Sequence, residues 1–87
     1  MKQMKISRVW VDATHVYAET IDGVRAGYAF SDWKRLAEAS SDQRSDFYLT
    51  YSGIHWPQID EDLSFGGMFR DNHLCEAGNE DFVIYTA

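Results

Sequence analysis

The chain has 87 residues, a single cysteine and a formal net charge of −6. This length supports one domain rather than two independent cores, and a lone cysteine excludes an intrachain disulfide. No apolar run approaches the ~20 residues that span a bilayer, and the first residues lack the apolar stretch of a signal peptide. We therefore expect a single cytoplasmic domain over residues 1–87 that is not inserted in a membrane.

The charge is unevenly distributed along the chain. Residues 1–35 hold six Lys or Arg and four acids, whereas residues 36–87 hold two and ten, so the two parts carry +2 and −8. An acidic chain lacks the phosphate-neutralising surface that nucleic acids require, which argues against direct nucleic-acid binding. A protein partner, and a basic one in particular, fits this charge better.

The first thirty residues predict a three-stranded antiparallel meander. Apolar and polar residues alternate over residues 6–11, 15–21 and 24–30, which is the pattern of half-buried strands. Asp22 and Gly23 between the second and third runs indicate a hairpin with a type I′ turn. In the first run the alternation assigns one face to three residues: Ile6, Arg8 and Trp10.

A short helix and a further helical turn are predicted next. Ser31 is placed as the N-cap of the helix, and Trp33, Leu36 and Ala37 form its apolar stripe at helical spacing. Residues 41–44 predict a second short turn of helix. One or two short helices should therefore pack on one face of the sheet.

The later chain predicts a fourth strand over residues 47–51, a short extended piece over 54–56 and a short helix over 65–69. Ser64 is the expected cap of that helix, and the acids at 60–62 would favour its positive end. A loop over residues 71–81 and a strand over 82–86 complete the predictions. The fold class is therefore α+β, with the meander and at least one later strand.

Five residues are the candidates for partner binding: His55, Trp56, Asp60, Glu61 and Asp62. The alternative function is a small metal-dependent or acid/base enzyme that uses His55 with Asp60 and Asp62. A structural explanation competes with both, in which Trp10 and Trp56 are core residues and the acids cap a helix. The chain has no glycine-rich phosphate loop, paired-cysteine zinc spacing or HExxH, so no catalytic residue, metal or cofactor is predicted.

The run GIHWPQIDEDLS at residues 53–64 resembles the bacterial family called domain of unknown function 2442. The resemblance covers about residues 5–69, which defines the expected core of the domain. It implies a small α+β fold with an antiparallel sheet, and an antitoxin-like or accessory role beside a partner. The extension 70–87 departs from the family pattern, and it either adds an edge strand or mediates contact between copies.

Together these observations predict a non-enzymatic protein-interaction or regulatory domain with a protein partner. Self-association into a homo-oligomer through an exposed sheet edge is the other mode of assembly left open.

Overall fold

The first sheet contains the predicted meander and one additional strand. A computed structural model describes residues 2–72 and 80–84. Strands β1 (Lys2–Val11), β2 (His15–Thr20), β3 (Arg25–Ala29) and β7 (Glu80–Ile84) lie in the order β3-β2-β1-β7. The first three strands are antiparallel, as predicted. The expected edge strand in the C-terminal extension is also present over its described residues, but it runs parallel to β1.

A β-bulge at Ser7 changes which residues of β1 face the core. Ile6 pairs with Thr20, whereas Arg8 pairs with Glu19, so Ser7 is an extra residue. Its hydroxyl donates to the carbonyl oxygens of both partners, at 3.1 and 3.3 Å. The prediction that Ile6, Arg8 and Trp10 share one face is therefore wrong. Ile6 is buried together with the half-buried valines of β1, and Arg8 and Trp10 lie on the outer face.

The connection between β2 and β3 contains a three-residue loop, residues 21–23, closed by Thr20 and Val24, rather than a type I′ turn. The amide of Gly23 donates to the carbonyl of Thr20 at 3.0 Å, and the amide of Thr20 donates to the carbonyl of Val24 at 2.9 Å. Gly23 has a φ of 87°, while Asp22 keeps a negative φ. A type I turn followed by one left-handed residue gives this geometry, so the hairpin is confirmed and its turn type is corrected.

A second, antiparallel sheet contains the remaining strands. Strands β4 (Tyr48–Thr50), β5 (Gly53–Trp56) and β6 (Glu61–Ser64) lie in the order β4-β5-β6. Strand β4 confirms the predicted fourth strand, and it does not join the first sheet. Strand β6 contains Glu61 and Asp62, so the prediction that the acids at 60–62 cap a helix is wrong.

Three short α-helices and one 3-10 turn connect the sheets. The 3-10 turn covers Phe30–Asp32 and helix α1 covers Lys34–Ala37. Ser31 lies inside the 3-10 turn, so its assignment as an N-cap is wrong; Trp33 holds that position before α1, with no side-chain cap. Of the predicted apolar stripe, Leu36 is buried, Trp33 is half-buried and Ala37 is exposed.

The other two helices match their predictions closely. Helix α2 covers Ser41–Ser45 and begins with a capping box. The Gln43 backbone amide donates to the Ser40 hydroxyl, and the Ser40 backbone amide donates to the side-chain oxygen of Gln43. Helix α3 covers Phe65–Asp71, and the Ser64 hydroxyl accepts a hydrogen bond from the Gly67 amide at 3.0 Å. The predicted cap at Ser64 is therefore confirmed.

One hydrophobic cluster joins the two sheets, with α3 in contact with strands of both. Its fully buried large side chains include Ile6, Phe30, Ile54, Trp56 and Phe69. The rings of Phe69 on α3 and Phe82 on β7 stack with centroids 4.3 Å apart. The fold is thus α+β, as predicted. None of the described helices is long and apolar enough to cross a membrane.

Candidate functional site

The three-stranded sheet brings two of the predicted site residues into direct contact. His55 on β5 pairs with Asp62 on β6, and His55 Nδ1 lies 2.7 Å from Asp62 Oδ1. Tyr48 on β4 pairs with His55 from the other side, with ring centroids 5.0 Å apart. These three side chains form a row across all three strands of the sheet.

The row lies on the outer face of the sheet, because the alternate residues Leu49, Ile54 and Leu63 pack into the core. Tyr51, in the turn after β4, is exposed next to this sheet. We call the surface formed by Tyr48, His55 and Asp62 the Tyr48 face, and Tyr51 is an exposed residue of the turn that adjoins it.

Trp56 does not belong to this surface. It alternates with His55 on β5, points into the core and is fully buried. Its indole Nε1 donates to the carbonyl oxygen of Arg44 at 2.9 Å, and its ring packs against Phe47 at 5.9 Å. The prediction that Trp56 contacts a partner is therefore wrong, and the alternative that it is a core residue is confirmed.

Asp60 is the last residue of the turn between β5 and β6, and Glu61 is the first residue of β6. Asp60 has a φ of 51°, and its carbonyl oxygen accepts a hydrogen bond of 2.6 Å from Arg35 Nη1, which ties the turn to α1. The Glu61 carboxylate accepts from the Asp62 amide at 3.0 Å. Of the three acids, Asp62 is the one whose side chain joins His55.

The described residues do not converge on a metal. No group of three or more His, Cys, Asp or Glu side chains within residues 4–72 and 82–84 is placed to hold one. A shallow recess of about 200 Å³ borders Asp62 and is lined by Thr50, Ser52, Gly53 and Ser64. His73 and Cys75, like most of the predicted loop over 71–81, lie outside the described residues.

The outer face of the four-stranded sheet holds a second cluster that the local sequence pattern does not indicate. Trp10 belongs to this cluster, so the alternative that Trp10 is a core residue is wrong. Trp10 pairs with Tyr17, and their rings stack with centroids 5.3 Å apart. Arg8 Nε donates to Glu19 Oε1 at 3.0 Å, and Arg25 Nε donates to Glu19 Oε2. Because Arg25 and then Arg8 engage the Glu19 carboxylate, its pKa is lowered. Cross-strand alignment of the meander could have revealed this cluster, had the bulge been recognised.

The end of this face is fixed by Asp12, in the turn between β1 and β2. Its carboxylate accepts hydrogen bonds from the amides of Thr14 at 2.9 Å and His15 at 2.8 Å, and from the Tyr17 hydroxyl at 2.8 Å. The Thr14 amide, the Tyr17 hydroxyl and the His15 amide lower the pKa of Asp12 to about 2. The hydrogen bond that the Tyr17 hydroxyl donates to Asp12 raises the pKa of Tyr17, because it stabilises the protonated phenol.

The two sheets, their three short helices and these two outer faces define a small α+β domain. A family model described as "Protein of unknown function (DUF2442)" matches residues 6–73, and the chain belongs to this family. The resemblance predicted from residues 53–64 is thus confirmed, and β7 lies beyond the matched residues. Comparisons with curated proteins and with solved structures find no match.

Proposed function

We propose that this protein is a non-enzymatic interaction domain that binds a basic protein partner through the Tyr48 face. The observation that carries the proposal is the exposure of two tyrosines beside an acidic strand. Tyr48 and Tyr51 are 55 % and 65 % exposed, and the Asp62 side chain is 71 % exposed.

Tyrosine suits an interface because its ring buries a large area at low entropic cost while its hydroxyl remains able to bond. Tyr48 is held in place by β4 and by the His55 ring, so part of its ordering occurs before a partner arrives. This preorganisation supports Tyr48 as the anchor of the interface.

The charge around the anchor supports a basic partner. Asp60, Glu61 and Asp62 follow one another at the edge of the sheet, and the chain as a whole carries −6. Such a surface accelerates encounter with a positively charged protein and disfavours an acidic one. A regulatory role, in which binding controls the partner, and a cytoplasmic location complete the proposal.

The experiment compares partners that co-purify with tagged variants from a native lysate, measured by quantitative mass spectrometry. The test variant is Tyr48→Ala with Tyr51→Ala, and the control is Ile21→Ala, which removes an exposed apolar side chain of the β2–β3 loop. A protein retained by the wild type and the control but lost by the tyrosine variant supports the proposal. Identical recoveries for all three proteins would exclude the Tyr48 face.

A second candidate function is acid/base catalysis, favoured by the contact between His55 and Asp62. A carboxylate that holds Nδ1 orients the imidazole and leaves Nε2 as the atom able to exchange a proton. Turnover of a chromogenic ester or phosphoester panel that His55→Gln abolishes would support it. Rates equal for wild type and variant, with no stabilisation by divalent ions in a thermal-shift assay, would exclude an enzyme of this kind.

A further inference from the structure

We propose that the outer face of the four-stranded sheet binds a small planar aromatic ligand that bears an anionic group, either a phosphate or a carboxylate. We call this the Trp10 site, formed by Arg8, Trp10, Tyr17, Glu19 and Arg25. It lies on a different sheet from the Tyr48 face, so it is independent of the proposed partner interface.

Two guanidinium groups supply the anion-binding part of the site. Arg8 and Arg25 both bond Glu19 through Nε, which leaves the terminal Nη groups of each outside that pairing. Their side chains are 55 % and 61 % exposed. Arg8 and Arg25 share the Glu19 carboxylate, so these three side chains together carry one positive charge (+2 − 1 = +1), and the Asp12 carboxylate borders the adjoining recess. A guanidinium group can donate two parallel hydrogen bonds to two oxygens of a carboxylate or phosphate. We therefore expect the ligand to carry one of these anions.

The aromatic part of the site adjoins these cations. The guanidinium carbons of Arg8 and Arg25 lie 4.4 and 5.6 Å from the centroid of the Trp10 ring. The Tyr17 ring stacks against that of Trp10, with the centroids 5.3 Å apart and the planes inclined by 26°. A planar ligand ring can pack against this aromatic pair from the adjoining recess while its anionic group reaches the arginines.

A recess beside the rings has room for the ligand. Its volume is about 490 Å³, and its lining includes Trp10, Asp12, Tyr17, Arg25, Gly27 and Asn72. Small-molecule sites occupy roughly 300–1,000 Å³. Gly27 contributes to this shape, because a Cβ at that position would lie 2.9 Å from Cδ1 of Tyr17 and would displace the ring.

The charge distribution favours a small ligand over a nucleic-acid strand. A strand requires a series of cations along its phosphates, whereas this site offers Arg8 and Arg25 and is bordered by Asp12. A ligand with a single anionic group next to one aromatic ring matches the two arginines and the aromatic pair of this site.

The test is a titration of the ¹⁵N-labelled full chain followed by NMR. The probes are adenosine monophosphate and indole-3-acetate, with adenosine (no anion) and inorganic phosphate (no ring) as controls. We expect saturable shifts at the Trp10 indole N–H and the Gly27 amide with at least one probe. Because a hydrogen bond to a charged group is lost, we expect Arg25→Gln to weaken binding at least about tenfold.

Lys34→Gln, which removes a cation of helix α1, is the matched control and should leave binding unchanged. The tighter probe shows which of the two combinations of ring and anion the site prefers. The proposal is overturned if neither probe saturates, if both arginine and lysine variants weaken binding equally, or if inorganic phosphate binds as tightly as the monophosphate. Affinity for an oligonucleotide that grows with its length would also overturn it, in favour of a nucleic-acid strand.

Discussion

The indole Nε1 of Trp56 donates a hydrogen bond to the backbone carbonyl oxygen of Arg44 at 2.9 Å. The Arg44 guanidinium in turn donates to the carbonyl oxygens of Leu36 at 2.9 Å and Ala37 at 3.2 Å, at the end of α1. The buried tryptophan of β5 is therefore connected through α2 to α1. This connection explains how two helices of four and five residues, too short to be stable alone, keep their places.

Two tryptophans with different hydrogen bonding allow this connection to be tested. Trp33 Nε1 is also buried, but it has no hydrogen-bond partner among the described residues. Trp56→Phe should lower the free energy of unfolding by about 2–4 kcal/mol, since it removes both packing and a satisfied bond. Trp33→Phe should lower the free energy of unfolding by about 1–2 kcal/mol less than Trp56→Phe does, because the N–H that it removes makes no hydrogen bond. Urea unfolding measures both values, and equal losses would contradict the role given to the Arg44 carbonyl.

The sequence was sufficient to predict several elements whose cause is local. Alternation predicted the strands of the meander, and Ser64 was recognised as a helix cap because that interaction spans three residues. The run at residues 53–64 identified the family. It also included His55 and Asp62, which the structure joins.

The remaining features depend on contacts that local patterns do not encode. A bulge adds one residue without altering the composition of a strand, so the alternation at Ser7 suggested the wrong face for Arg8 and Trp10. Strand β6 was missed because its acids resemble a helix start when their pairing with β5 is unknown. The parallel pairing of β7 with β1 is likewise a tertiary choice between distant segments.

The edge of the first sheet provides a second prediction. Asn72, after α3, accepts from the Gly27 amide at 3.3 Å and donates to the Gly27 carbonyl at 3.0 Å, in the manner of a neighbouring strand. Asn72→Ala should therefore cost about 1–2 kcal/mol and expose the β3 edge to self-association. Urea unfolding and sedimentation velocity at several concentrations would measure the two effects.

The control for this edge variant is Gln58→Ala, which removes an exposed bond of 2.8 Å to Asp46. Surface changes of this kind cost about 0.5 kcal/mol or less. Equal stability losses for the two variants, with both monomeric at every concentration, would show that Asn72 does not protect the edge.

The hydrogen bonds of Asp12 predict an acid-dependent stability. Its pKa is lowered from the ordinary 3.8 to about 2 in the folded chain, so the folded state favours the carboxylate. The resulting stabilisation is complete above pH 3.8 and is lost as the pH falls through about 2. The difference in melting temperature between wild type and Asp12→Ala should thus be constant near neutral pH and shrink towards pH 2.

Differential scanning calorimetry from neutral pH to pH 2 measures this difference. Tyr17→Phe, which removes one of the donors to Asp12, should give an intermediate acid dependence. A difference between wild type and Asp12→Ala that stays the same at every pH would refute the assignment.

Substitution by alanine should change the free energy of unfolding in opposite directions at two glycines, Gly53 and Gly66. Gly53 lies within β5, and a Cβ there would be 2.5 Å from the Leu63 carbonyl oxygen of β6. The pairing of the two strands therefore requires a residue without a side chain at this position. Gly53→Ala should cost about 1–3 kcal/mol, as expected for overpacking. Gly66 in α3 has nothing within 4 Å of such a Cβ, and Gly66→Ala should stabilise the helix by about 0.5–1 kcal/mol. Urea unfolding measures the change in the free energy of unfolding for both variants. If Gly53→Ala left that free energy unchanged, the close approach of β5 and β6 would be disproved.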